Sequence, residues 1–188
     1  MKKSLLALAL IAAPALFASA SASAAEGVSY NYVEGGYVTS NLKNSPDADG
    51  WRIGGSAAIA PNFHVFGSLD SQEVDDINVD IDNWRLGVGY NHAISARTDL
   101  LTRVAYERYE TPFQDFDGYS VEVGVRGAPT AMLEGYALAG YEDGSDYDGD
   151  FYGRLGGQVK FNANWGLSGD VKFADNDTQW FIGPRFTF

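Results

Sequence analysis

Ten runs of alternating apolar and polar residues fill the chain beyond residue 27, at 28–39, 50–59, 63–71, 83–92, 99–109, 118–127, 133–142, 151–161, 165–174 and 179–188. A period of two marks a strand with two unlike faces. In the fourth run Trp84, Leu86, Val88 and Tyr90 share one face, and Arg85, Gly87, Gly89 and Asn91 the other. The sixth sets Tyr119, Val121, Val123 and Val125 against Ser120, Glu122, Gly124 and Arg126. The ninth sets Trp165, Leu167, Val171 and Phe173 against Gly166, Ser168, Asp170 and Lys172. The first and seventh runs alternate less cleanly. If Glu34 lies on the polar face, Tyr32 and Gly36 go with it and Tyr37 turns out; Glu134 and Glu142 on that face carry Tyr136 and Leu138 inward.

The runs come in pairs. Five acidic, glycine-rich or asparagine-rich stretches each end in an aromatic that opens a run: Trp51, Trp84, Tyr119, Phe151 and Trp180, spaced 29 to 35 residues apart. A repeat of this period is one supersecondary unit, here a β-hairpin with an aromatic at one fixed height. The connections alternate in kind. Four are short and nearly uncharged, at 60–62, 93–98, 128–132 and 162–164; five are longer and acidic, at 40–49, 70–82, 107–118, 142–150 and 174–178. Those five hold 19 of the 25 carboxylates, offset only by Lys43 and Arg108. Short turns at one end and longer loops at the other is the asymmetry of outer-membrane barrels, and nine connections make ten strands.

Residues 1–25 read as a signal peptide rather than as fold. Lys2 and Lys3 are its positive start, Leu5 to Leu16 its apolar stretch, and Ser19 to Ala25 a run of small residues suited to a signal peptidase. Cleavage after Ala24 or Ala25 fits, and Ala22 also fits. Residues 26–188 then form one domain. They contain no cysteine and no apolar stretch approaching the ~18 residues of a spanning helix. Without Lys2 and Lys3, the 13 basic residues become 11 against 25 acidic, a net charge of −14. That balance excludes nucleic acid as a partner and points to divalent cations or cationic surfaces.

A secreted β-sandwich would alternate too, with its apolar face turned onto a second sheet. Two features favour a membrane barrel. Aromatics bound the apolar face at both ends: Trp51, Trp84 and Trp180 beside the acidic loops, Phe63, Phe161 and Trp165 beside the short turns. Such girdles match membrane interfaces. The other face carries both signs of charge in mid-strand: Glu34, Arg52, Arg85, Arg103, Glu122, Arg126, Arg154, Asp170, Lys172 and Arg185. In a barrel these line the lumen. The expected fold is therefore all-β: a closed antiparallel transmembrane β-barrel of ten strands, up-and-down, in the outer membrane of a Gram-negative cell. Paired, with Glu107 and Glu134 added, the inward charges would plug the lumen. Unpaired, beside Ser56, Gly87, Gly89 and Gly124, they would line a narrow polar path. Gly54-Gly55 and Gly156-Gly157 lie inside strands with no following helix, so they read as room for twist or bulky lumenal neighbours rather than phosphate loops.

Gly183, Phe186 and Phe188 give a pattern that resembles the C-terminal signal by which the barrel-assembly machinery recognises its clients. Pro184 departs from it, removing one ladder donor, and a small bulge is expected there. Tyr30-Asn31-Tyr32-Val33-Glu34-Gly35-Gly36-Tyr37, Ala60-Pro61-Asn62-Phe63, Gly87-Val88-Gly89-Tyr90-Asn91-His92 and the stretch from Tyr141 to Tyr152 resemble a family of small outer-membrane β-barrels from plant-associated and opportunistic gammaproteobacteria. Members of that family were once discussed as secreted quorum-sensing or immune-eliciting factors. The resemblance spans nearly the whole mature chain and implies location and fold.

Chemistry is sparse. Asp146, Asp148 and Asp150, with Gly149, resemble part of a calcium loop, though no glutamate follows at EF-hand distance. The alternatives are a solvated turn, or calcium or magnesium bridging the acidic loops to lipopolysaccharide phosphates. The strand count resembles that of the omptin-type proteases, whose histidines sit at the extracellular mouth. Here His64 and His92 both lie beside short turns, at the opposite end, and no other histidine or cysteine supplies a base or nucleophile. The expectation is a noncatalytic barrel with no cofactor beyond such cations. Its partners would be membrane lipid, lipopolysaccharide and the assembly machinery, and its work envelope structure and surface interaction. The alternatives are a porin-like channel for small cationic solutes, and an adhesion or host-interaction barrel.

Overall fold

A computed structural model describes residues 24–42, 46–74, 79–145, 149–175 and 177–188; positions 1–23, most of the expected signal peptide, lie outside it. Ten antiparallel strands follow in chain order: β1 Tyr32–Leu42, β2 Ala48–Ala60, β3 Phe63–Val74, β4 Val79–Ser95, β5 Thr98–Glu110, β6 Asp115–Gly127, β7 Leu133–Gly144, β8 Asp150–Lys160, β9 Trp165–Phe173 and β10 Asp177–Thr187. Each pairs with its neighbours in sequence, and β1 closes on β10. Closure leaves no sheet edge, which a strand needs if its backbone is to sit in lipid.

The alternation sorts the two faces as its period requires. Leu86, Val88, Val121, Val123, Val125, Leu155, Val159 and Ile182 stand on the outer surface. Above this band, around the rim of the acidic loops, stand Tyr37, Trp51, Tyr106, Tyr119, Phe151 and Trp180, all exposed. Neighbouring strands bring these rings together, with centroids 5.3 Å apart for Trp84–Tyr106, 5.1 Å for Tyr141–Phe151 and 6.5 Å for Phe173–Trp180. Phe63–Tyr90 and Trp165–Phe186 mark the lower rim, at 5.2 and 5.0 Å. From Trp165 to Phe173 along β9 is about 26 Å at ~3.3 Å per residue, and ~20 Å after a barrel's tilt. The apolar band of an outer-membrane barrel is about 25 Å tall, of the same order. The molecule is a transmembrane barrel, not a sandwich, because its apolar face looks away from its own interior.

Three expectations need correction. The stretch 70–82 is not a loop: β3 runs to Val74 and β4 starts at Val79. Likewise only residues 111–114 separate β5 from β6. Ladder hydrogen bonds continue past the membrane edge whatever the side chains. The apolar alternation had therefore marked the depth of the lipid band, not the strand ends. Second, β1 begins at Tyr32, and residues before it do not extend the strand. Ala25, Val28 and Tyr30 are buried against Ala58, Leu101, Ala128 and Leu138, inside the short-turn end. Third, Pro184 causes no bulge. It faces Leu167 in register with β9, and the β1–β10 pairing keeps one register from Tyr32–Thr187 to Leu42–Asp177. The missing proline donor is accommodated beside a close approach of backbones. A Cβ on Gly36 would stand 2.1 Å from the Ile182 carbonyl oxygen, and one on Gly183 2.1 Å from that of Gly35. Only glycine fits at these two places on the closing seam.

Candidate functional site

The inner face is where chemistry concentrates. All ten charged residues expected in the lumen point into it. They meet at three levels, and several contacts join strands that are not neighbours.

At the upper level, Arg52 forms a double hydrogen bond to Asp70, at 2.7 and 2.5 Å, and its Nη2 also donates to Gln179. Lys172 pairs with Glu142 at 2.5 Å and lies over the Tyr152 ring. Arg85 reaches Glu107 at 2.9 Å, and the Ser120 hydroxyl donates to the same carboxylate. A cavity of about 220 Å³ opens among these groups toward the acidic end, with Asp177 on its wall. Burial, reinforced by Glu142, raises the Asp177 carboxyl above its ordinary value, with Lys172 opposing.

At mid-height Glu122, 1% exposed, is the hub. Arg103 approaches it at 2.7 Å, Arg85 at 3.2 Å and Arg154 at 3.5 Å, and the Tyr152 hydroxyl donates to it at 2.9 Å. Arg154 also meets Asp170 at 3.2 Å, and Arg52 reaches the same carboxylate from the other side of the barrel at 3.7 Å. Arg185 pairs with Glu34 at 2.7 Å. The Phe66 ring lies under both Arg85 and Arg103. A smaller cavity of about 60 Å³ remains among these groups.

Glycines make this filling achievable. A Cβ on Gly87 would strike the Phe66 ring, one on Gly89 the His64 ring, one on Gly140 the Tyr152 ring and one on Gly156 the Tyr136 ring. The small residues along the polar face are sockets for large neighbours. Gly87 and Gly89, which would line a path if left open, are filled by Phe66 and His64.

At the lower level Arg126 hydrogen-bonds Glu134, and Lys160 pairs with the same carboxylate at 3.0 Å. Below them sits the amino-terminal segment. Arg126 donates to the Ser29 carbonyl at 2.8 Å and lies over the Tyr30 ring, and Lys160 donates to the Gly27 carbonyl. Tyr30 stacks on His64 with centroids 4.3 Å apart. His64 is thus enclosed by the plug, while His92 faces outward at the short-turn rim. Neither stands beside a serine or threonine nucleophile at the acidic mouth.

Sequence reasoning missed the plug and two of its anchors, Asp99 and Lys160. It also missed Asp70, which had been counted in a loop. Asp70 lies two positions from Ser68 on the same face of β3, a parity signal that the alternation along this strand carries past Ser68. Asp99 carried no such signal. Its role depends on a segment 74 residues away.

Of the calcium trio, Asp146 and Asp148 lie outside the described residues. Asp150 opens β8, and its carboxylate accepts from the Phe151 N–H at 2.7 Å and the Asp175 N–H at 3.4 Å. Among the described residues, no three acidic or histidine side chains gather as a metal site. On the outer rim Arg108 is ringed by Glu110, Asp115 and Asp117 at 3.4, 2.7 and 3.4 Å.

No family model and no curated protein matches the chain. Among solved structures it is similar to the KdgM porin, at 12% identity and a TM-score of 0.49, covering 83% of this chain and 99% of that one. It is similar to the translocator domain of the autotransporter NalP from Neisseria meningitidis, at 11% and 0.48, covering 87% and 90%. A third is Neisserial surface protein A, at 16% and 0.43, covering 85% and 98%.

Proposed function

We propose that this protein is a noncatalytic outer-membrane barrel with a sealed lumen, which stiffens the envelope and presents an acidic rim to its surroundings. The observation that carries the reading is the Glu122 hub: one buried carboxylate holding arginines from β4, β5 and β8 across the interior. A lumen spanned by paired charges above a docked segment conducts little. The experiment is a planar-bilayer recording of the purified barrel. Silent bilayers support the reading; a reproducible unit conductance overturns it.

A second reading rests on the cavity of about 220 Å³ at the acidic end. On it the barrel is a narrow channel for small cationic solutes, concentrated by the negative mouth. Cation-selective conductance in the same recording favours it. The rim also suits calcium or magnesium bridging to lipopolysaccharide phosphates. That part of the proposal predicts that chelation loosens the barrel's association with lipopolysaccharide without unfolding it. Assembly through β10 and the Phe188 that follows it, and kinship with the small gammaproteobacterial barrels whose motifs the chain resembles, complete the proposal. An adhesive role would instead show as loss of surface binding on deleting residues 75–78, between β3 and β4, with the barrel intact.

A further inference from the structure

Among the described residues, Asp99 is the carboxylate with the least exposed surface, at 0%. Its Oδ1 accepts from the backbone N–H of Ala25 at 3.0 Å, and its Oδ2 from the Tyr30 hydroxyl at 3.0 Å. Both donors are neutral. Arg126 faces Asp99 across the β5–β6 ladder, but its guanidinium turns to Glu134 and the Ser29 carbonyl. Lys160 is likewise held by Glu134 and Gly27, and Arg97 lies outside against Glu26. Among the described residues, no lysine, arginine or histidine forms an ion pair with Asp99. Every other fully buried carboxylate described above has such a partner. Arg126 acts on Asp99 only from a distance, and an enclosed carboxylate with no cation in direct contact is costly, so this site has room for a further positive charge.

The sequence holds one way to supply it. Ala22-Ser23-Ala24 is an A-x-A cleavage motif; Ser23-Ala24-Ala25, one residue later, keeps small residues at the same two positions, and composition alone does not choose between them. The geometry does. The atom facing Asp99 is the nitrogen of Ala25.

We propose that a signal peptidase hydrolyses the Ala24–Ala25 bond, and that the new amino terminus of Ala25 seats on Asp99 as a buried ion pair that locks residues 25–30 in the short-turn mouth as a plug. One water is consumed. The bond's carbonyl leaves as the Ala24 carboxylate, and the freed Ala25 nitrogen takes up a proton to become an ammonium. With one N–H given to Asp99, two of its three remain for the polar groups around it, where the uncleaved amide has none to spare. Val28 and Tyr30, already packed against Leu101, Ala128 and Leu138, then hold the segment by apolar burial. Cleavage after Ala25 would instead place the ammonium at Glu26, whose nitrogen donates to the Ala96 carbonyl at 2.8 Å, away from any carboxylate it could neutralise inside.

The test starts from the full chain, expressed in cells and purified from the outer-membrane fraction. Intact mass is expected to show Ala25 as the first residue; a first residue of Ser23 or Glu26, or a retained leader, overturns the proposal. The folded barrel is then treated with an amine-reactive ester near neutral pH, and labelling of the amino-terminal peptide is read by mass spectrometry. The wild-type amine should react about tenfold or more slowly than in the heat-unfolded chain, the effect of roughly one unit of added proton affinity. In Asp99→Asn it should react at nearly the unfolded rate. Equal rates in folded and unfolded wild type overturn the docking. If Asp99→Asn does not fold, a chain refolded with Ala24 as its first residue replaces it, since its ammonium is displaced by about 3.5 Å. That chain should show a freely reactive amine and a lower denaturant midpoint than one beginning at Ala25. Matching behaviour of the two chains overturns the ion pair.

Discussion

Glu122→Gln isolates the charge at the centre of the lumen while keeping its shape and one acceptor for the Tyr152 hydroxyl. The three arginines are not equally affected. Arg85 keeps Glu107 at 2.9 Å and Arg154 keeps Asp170 at 3.2 Å. Arg103 meets Glu122 alone, with both Nε and Nη2 at 2.7 Å. At that distance the attraction is about 6 kcal/mol with an effective dielectric constant near 20, and breaking one side of a buried pair costs about 3–5 kcal/mol net. With two arginines still partnered, the lower value, ~3 kcal/mol, is expected; at a urea slope of ~2 kcal/mol per molar this lowers the midpoint by about 1.5 M. The assay is urea unfolding of the barrel in lipid vesicles, followed by the shift between folded and unfolded bands on unheated gels. Glu122→Gln combined with Arg103→Met removes the stranded cation and should recover most of the loss, because an apolar residue of similar length substitutes well for half of a buried pair. A midpoint within ~0.3 M of wild type for the single variant would refute the argument, as would a double variant that merely adds the two losses.

Val123→Arg places a charge on the outer face at mid-band, where Val123 is half exposed; it should cost about 2–4 kcal/mol in a bilayer, and near-zero cost in vesicle unfolding would argue against the membrane placement. Gly36→Ala puts a Cβ 2.1 Å from the Ile182 carbonyl; the seam between β1 and β10 must part, so the heat-resistant folded band should diminish or vanish in outer-membrane fractions. Asp177→Asn tests the mouth. Its folded carboxyl is raised above the unfolded value, so the ionised form is disfavoured in the fold; stability falls as pH rises through this window, and the penalty is absent below the ordinary value of 3.8. The variant should therefore be more stable than wild type at pH 7 and equal to it at pH 3; a difference of the same size at both values would show that the carboxyl's charge is not the cause.

The strands and their faces were legible because a barrel in lipid imposes two independent demands on each residue. Leu86 and Val88 must suit hydrocarbon, Arg85 and Gly87 must suit a crowded polar interior, and a period of two keeps the demands apart. The aromatic openers were legible for the same reason: Trp51, Trp84, Tyr119, Phe151 and Trp180 answer to a planar interface that lies at one height for every hairpin. Strand ends were not legible in the acidic stretches. Backbone pairing carries β3 to Val74 and β5 to Glu110 after the side chains have ceased to report on lipid.

The lumen divides the same way. Which charges turn inward followed from parity along each strand, so Arg52, Glu122 and Asp170 could be placed from local order. Which of them meet did not. Arg52 reaches Asp170 only because the β1–β10 seam brings β2 within three strands of β9, and Arg154 reaches Glu122 by passing over the intervening β7 on the inside of the curled sheet. The same closure makes a mouth into which residues 25–30 can fold, and there an alanine nitrogen finds a carboxylate 74 residues along the chain. By itself, then, the sequence determined a ten-stranded membrane barrel with an acidic end, since alternation and interfacial aromatics are local responses to solvent. Only the tertiary structure decided how the lumen is filled and by what it is stoppered, because those contacts depend on distances across the barrel that no local pattern encodes.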